Sequence, residues 1–160
     1  MNGFVVAAVF AVALGSALVA GVFFAFSSFV MAGLGQLPPA RGIAAMQSIN
    51  RTALRPPFML ALFGTALACL GLAGWAVANW GQQSTGWVLG GAALYVIGAV
   101  VVTIARSVPR NEALARLDPD DSDAPERWRR YVTTWTAWNS VRSLASLGAA
   151  GLLTVGLMQS

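Results

Sequence analysis

The sequence predicts an all-α fold: a four-transmembrane-helix bundle with a short interfacial helix in the first cytoplasmic loop and a long fourth helix extending into the cytoplasm. Three observations carry this. Hydrophobic residues make up 57% of the 160 positions and charged ones 10%, where a soluble domain averages about 25% charged residues. Every charge lies within residues 41–55 or 106–142, leaving 1–40, 56–105 and 143–160 bare. A bilayer core takes about 20 apolar residues per helix. That length recurs four times, at residues 3–34, 57–79, 86–107 and 139–158, within a single domain covering 1–160.

The first span opens on Met1-Asn2-Gly3-Phe4, without the basic segment of a signal peptide, and its apolar run is too long for one. It therefore reads as a retained helix. The uncharged stretch 56–105 exceeds one helix and is broken by Asn79, Gly81, Gln82, Gln83, Ser84 and Gly86, so it reads as a hairpin of two. The last span begins near Asn139 and ends near Met158.

All ten basic residues are Arg, and every one lies in or beside the two inter-span loops, Arg41 to Arg55 and Arg106 to Arg142. Cytoplasmic loops accumulate Arg and Lys, so both loops are expected on the cytoplasmic face of a bacterial inner membrane. Both termini and the Asn79–Gly86 turn then lie outside. Packing between membrane helices rests on close approach at small residues. The candidates are Ala13, Ala17, Gly21 and Ala25 in span one, with Gly15 and Ser16 beside them, Gly64 and Ala68 in span two, Gly91 and Ala99 around Tyr95 in span three, and Ala145 and Ala149 in span four. The same rows could pair two copies of the chain, so a homo-oligomer stays open.

In the first loop, Pro38-Pro39 and Pro56-Pro57 bracket a short amphipathic helix with Ile43, Met46, Ile49 and Ala53 on one face. Its apolar face is expected at the membrane interface; alternatively, Asn50 points into the mouth of the bundle. In the second loop, Asp118-Pro119-Asp120-Asp121-Ser122-Asp123 forms an acidic turn. Asp123 stands as N-cap, with Pro125 and Glu126 in the first turn of a long helix. Along that helix Trp128, Tyr131, Trp135, Trp138 and Arg142 recur at spacings of three and four, and Asn139 lies one turn before Arg142. Interfacial aromatics anchor membrane helices and Arg at a span end snorkels to headgroups. Equally, a single-faced aromatic stripe ending on an intramembrane Arg fits a pocket for an aromatic compound.

The composition excludes several functions. With no His and one Cys, Cys69, the chain holds no His-ligated metal site, no His-based triad and no intrachain disulfide. The net charge of +4 is explained by topology rather than by a nucleic-acid-binding face. No glycine-rich nucleotide motif occurs.

The run Val108-Pro109-Arg110-Asn111-Glu112-Ala113-Leu114, then Trp128-Arg129-Arg130-Tyr131 and Trp135-Thr136-Ala137-Trp138-Asn139-Ser140-Val141-Arg142-Ser143-Leu144, resembles the DUF1772 or anthrone oxygenase-like family of small four-helix membrane proteins. Gly21-Val22-Phe23-Phe24-Ala25-Phe26-Ser27 and the Met46 to Leu54 helix agree with it. The resemblance implies a cofactor-independent oxidation of an anthrone-like aromatic polyketide to a quinone by dioxygen. It points to Asn111, Trp135, Asn139 and Arg142 as functional positions. Arg142, Asn139 and Asn111 are then the expected catalytic groups, and Trp135, Trp138, Tyr131 and Asn50 the substrate-binding ones, with no metal or cofactor. Glu112 and Tyr131 are candidate proton acceptors beside water. Expected partners are membrane lipid, an apolar aromatic molecule and dioxygen. The competing class is a non-catalytic bundle whose Arg and Asn residues close one end. A transporter would want more intramembrane charge.

Overall fold

The computed structural model describes residues 1–160 and contains helices and no strands. Four helices are long and apolar enough to cross a membrane: α1 (Gly3–Gly35), α3 (Pro56–Ala78), α4 (Thr85–Ala115) and α5 (Ala124–Met158). A shorter helix, α2 (Pro39–Ala53), lies between the first two. Its start and that of α3 each carry prolines in the first turn, where the missing amide hydrogen costs least. Asn2 caps α1, its Oδ1 accepting from the Val5 amide at 2.9 Å. Asp123 holds the N-cap position of α5 without a side-chain capping bond, and its carboxylate faces Arg127 at 3.5 Å instead.

Helix α5 packs against α1 and α4, and α3 closes the ring by packing against α4 and α1. Two apolar cores stack along this bundle. The larger runs along the spans and includes Val9, Val19, Phe23, Leu62, Cys69, Val88, Tyr95, Ala149 and Leu153. The smaller caps the Arg-rich end with Met31, Ile43, Met46, Leu114, Leu117, Trp128, Tyr131 and Trp135. Large apolar residues such as Phe4, Leu18, Phe24, Leu67, Leu144 and Leu147 face outward, as a lipid-facing belt requires.

Close approach occurs at some of the expected small residues and not at others. A β-carbon on Gly98 would collide with the Ala145 β-carbon, and one on Gly91 would lie 3.1 Å from the Ala149 carbonyl. Spans three and four therefore meet backbone to backbone, through Ala145 and Ala149. In α1 the packed face is Ala13, Ser16 and Ala20, while Ala17 and Gly21 face outward; Gly15, next to that face, abuts Thr65. In α3, Gly64 and Ala68 also face out, and Thr65, Cys69 and Leu72 face in. The packed rows in these two helices thus lie about one position from the expected ones. Small size marks a residue that can approach a neighbour, and the β-branched and aromatic residues beside it decide which face does.

The apolar face of α2 differs from expectation too. Ile43 and Met46 are fully buried in the smaller core beneath α5, so this face covers protein rather than lying on lipid. Gly42 makes the approach close, since a β-carbon there would lie 2.8 Å from the Trp128 ring. Gln47 locks it, donating from Nε2 to the carbonyls of Leu114 at 2.9 Å and Leu117 at 3.0 Å. Leu114 lies in the last turn of α4 and Leu117 two residues beyond its end, so Gln47 pins α2 to the point where α4 terminates. Helix α4 itself runs past residue 107, the expected end, through Pro109 to Ala115. A wide π turn at Thr103–Ser107 precedes Pro109 and absorbs the misfit that a proline ring imposes on an α-helix.

Candidate functional site: an arginine-lined cavity

A cavity of about 830 Å³ lies between the two cores, within the size range of small-molecule sites. Its wall combines Phe23, Phe26, Met46, Ile49, Phe58, Leu62 and Trp135 with polar residues: Ser48, Asn50, Thr52, Thr103, Ser107, Asn111, Asn139 and Arg142. No carboxylate, Lys or Cys lines it. Leu54, Phe63 and Val108 belong to the wall and are also exposed. They mark an apolar mouth between the start of α3 and the end of α4.

Wide π turns in three spans meet at this level: Phe26–Val30 in α1, Leu60–Gly64 in α3 and Thr103–Ser107 in α4. Such turns break the regular backbone ladder and are frequent at functional sites. Nearby carbonyls take side-chain donors in addition to backbone ones. Phe23 O accepts from Asn139 Nδ2 at 2.6 Å, Leu62 O from the Tyr95 hydroxyl at 3.1 Å, and Ala99 O from Thr103 Oγ1 at 2.6 Å.

Arg142 is 5% exposed. Its guanidinium donates from Nη2 to Asn139 Oδ1 at 2.7 Å and from Nη1 to Thr103 Oγ1 at 3.1 Å, while Nε has no partner. The Phe23 ring centroid lies 4.2 Å from its Cζ and that of Trp135 5.4 Å. All six acidic residues are exposed and lie between Glu112 and Glu126, so no anion of the protein neutralises it. An Arg at the centre of a spanning helix costs about 2.5–3.5 kcal/mol, an upper bound for Arg142 near the start of its span, and a desolvated cation–π contact returns about 2 kcal/mol or less. The two rings and two hydrogen bonds offset most of that cost without removing the charge. Asn139 fixes the assembly: its amide nitrogen is held by Phe23 O and by Ser27 Oγ at 2.7 Å, which turns its oxygen to the guanidinium.

Asn111 orders the other end of the wall. Its Oδ1 accepts from the Tyr131 hydroxyl at 2.9 Å and from Trp135 Nε1 at 2.8 Å. Both donors fix the oxygen, so the amide N–H pair faces away from them and has no partner in the protein. Asn50 also reaches the wall, with its Nδ2 3.5 Å from the Tyr131 hydroxyl. The second reading of α2, with Asn50 in the bundle mouth, therefore describes the geometry. Trp128, Tyr131 and Trp135 stack in sequence, at centroid separations of 5.7 and 6.3 Å. Only Trp135 of the three lines the cavity; Tyr131 stands behind it.

Two sequence-derived candidates fall outside this constellation. Trp138 does not line the cavity; its ring lies 4.7 Å from the Arg106 guanidinium, toward the outside of α5. At about 100° per residue Trp138 falls at the edge of the stripe, and Arg142, four residues on, returns to the inner face. Glu112 points outward, 3.8 Å from Arg116. Conversely, Thr103, Ser107, Phe23 and Ser27 belong to the site without being among the residues expected there. Thr103, Ser107 and Asn111 are uncharged polar positions four apart, on one face of the end of span three, a signal that could have revealed them.

Against this geometry, the family model described as Anthrone oxygenase matches residues 57–152. That covers α3, α4 and most of α5. The chain belongs to the anthrone oxygenase family. No curated protein and no solved structure matches it. The matched stretch supplies Thr103, Ser107, Asn111, Trp135, Asn139 and Arg142, while α1 and α2 bring Phe23 and Asn50 to the same cavity.

Replacing Asn111 with Leu strands two donors at once. Each buried donor left unsatisfied costs about 1–3 kcal/mol, so Asn111→Leu is expected to lower the thermal midpoint in detergent and to red-shift or quench Trp emission. An unchanged midpoint and spectrum would show that the Asn111 bonds do not order this wall.

Proposed function

We propose that this protein oxidises a planar aromatic ketone of the anthrone type to a quinone with dioxygen, using only its own side chains. One observation carries the reading: a buried Arg142 without any protein anion, held by Asn139 and Thr103 against an aromatic-walled cavity. An anthrone that loses a methylene proton becomes an enolate with charge on its ketone oxygen. Arg142 and Asn139 stabilise that oxyanion, and fixed dipoles of this kind act most strongly away from water. Trp135 and Phe23 bracket the ring system.

The electron-rich enolate reduces dioxygen. One oxygen atom becomes the new ring carbonyl, and the other leaves as water with the two methylene hydrogens, so the substrate loses two hydrogens and gains one oxygen. The proton acceptor is water at the mouth, since no carboxylate, Lys or His lines the cavity and the Tyr131 hydroxyl is engaged with Asn111. That lack of a protein base is also what favours a second reading, a bundle that binds aromatic compounds without turning them over. Both readings place the chain in a bacterial inner membrane with the Arg-rich loops cytoplasmic and both termini outside.

Activity and orientation are each open to direct measurement. Purified protein with emodin anthrone in air is expected to form anthraquinone faster than buffer, and faster than a folded Arg142→Ala variant by about a hundredfold or more, the worth of one preorganised oxyanion contact. Equal rates in all three would leave the binding reading. A reporter fused after Ser160 is expected to be active outside the cytoplasm, and a cytoplasmic signal would invert the orientation.

A further inference from the structure

Along the cavity face of α4, Thr103, Ser107 and Asn111 recur at four-residue intervals and all three line the wall. The first is taken by Arg142 Nη1 and the third by Tyr131 and Trp135. The middle one is unclaimed: Ser107 is 2% exposed and its Oγ has no hydrogen-bond partner. A buried hydroxyl without a partner costs about 1–3 kcal/mol, and Ser in a helix ordinarily returns its hydrogen bond to a carbonyl four residues back. The Thr103 hydroxyl does this, bonding to Ala99 O; that of Ser107 does not.

The position of Ser107 says what it meets. It lies one turn from Thr103, about 6 Å along the helix axis, and hence about one turn from the guanidinium that Thr103 holds. In an anthrone the reacting carbon sits across the central ring from the ketone, so the new oxygen arises opposite the one held at Arg142. We propose that Ser107 is a catalytic residue that hydrogen-bonds this second oxygen, first in the hydroperoxide and then in the quinone. The proposal rests on the oxygenase reading above and deepens it.

The step balances without another reactant. Dioxygen takes an electron pair from the enolate carbon, a carbon–oxygen bond forms, and a proton from water completes the hydroperoxide. The O–O bond then breaks as the remaining C–H proton is lost, the ring carbonyl forms, and water departs with the distal oxygen. The Ser107 hydroxyl donates to the oxygen that stays. The unpaired amide of Asn111, one turn further on, lies beyond it along the same face.

Binding separates this role from a packing role. The probes are 9,10-anthraquinone, with opposed oxygens, and anthrone, with one, each titrated anaerobically against wild type, Ser107→Ala, Ser107→Cys and Arg142→Gln in lipid nanodiscs by quenching of Trp emission. Ser107→Ala and Ser107→Cys are expected to weaken anthraquinone binding about fivefold, the worth of one hydrogen bond, while leaving anthrone binding within about twofold. Arg142→Gln weakens both probes. If the Ser107 variants bind both probes as wild type does, or lose both equally, the Ser107 proposal falls and the oxygenase reading stands. If wild type binds neither probe, the oxygenase reading falls and takes the Ser107 role with it.

Discussion

The site depends on one unbalanced charge. Arg142 sits inside a bundle whose acidic residues all lie between Glu112 and Glu126, away from it, so its cost is offset by induced and dipolar partners alone: two aromatic faces, one amide oxygen and one hydroxyl. Had an Asp or Glu been within reach, the pair would be neutral and the cavity would be an apolar slot. Without one, the cavity presents an uncompensated cation beside an aromatic wall, and the proposed binding of a flat aromatic anion rests on that pairing.

The backbone around this charge is arranged to serve it. Asn139 can aim its oxygen at the guanidinium because its nitrogen is held by Phe23 O, a carbonyl beside the π turn of α1. Thr103, at the start of the π turn in α4, offers its oxygen to Arg142 while its proton goes to Ala99. Elsewhere the bundle is drawn tight by Gly98 against Ala145 and Gly91 against Ala149 and Leu153, which leaves the cavity as the place where the helices part. Helix α2 roofs that opening, held by Gln47 on the carbonyls at the end of α4.

Much of this is legible in the sequence because lipid imposes simple rules. Uncharged length marks the four helices, and Asn139 and Arg142 stand out as polar groups where lipid tolerates few. Asn111, Trp135 and Asn50 do reach the cavity. Periodicity does not supply the phase of a helix whose turns are not uniform. Each π turn rotates the residues beyond it out of the regular register, as in α3 and α4. Separately, small residues such as Gly21, Gly64 and Ala68 face outward despite their size, and Trp138, at the edge of the stripe on the uninterrupted α5, turns to the Arg106 side. The roof departs from expectation for another reason: an amphipathic helix has the same pattern whether its apolar face meets lipid or, as for Ile43 and Met46, a Trp-rich protein surface. Ser107 stays hidden because a single Ser in a membrane helix ordinarily bonds its own backbone.

The central claim is that the cavity favours an anion of an aromatic oxygen compound through Arg142, and the ionisation of a bound phenol measures it directly. For 2-naphthol in protein-loaded nanodiscs, followed by the absorbance of its anion, the apparent pKa is expected to fall by about one unit or more below its value in empty nanodiscs. That corresponds to about 1.4 kcal/mol per unit, and the shift should vanish in Arg142→Gln. A pKa that is unchanged or raised in the wild-type protein would contradict the account.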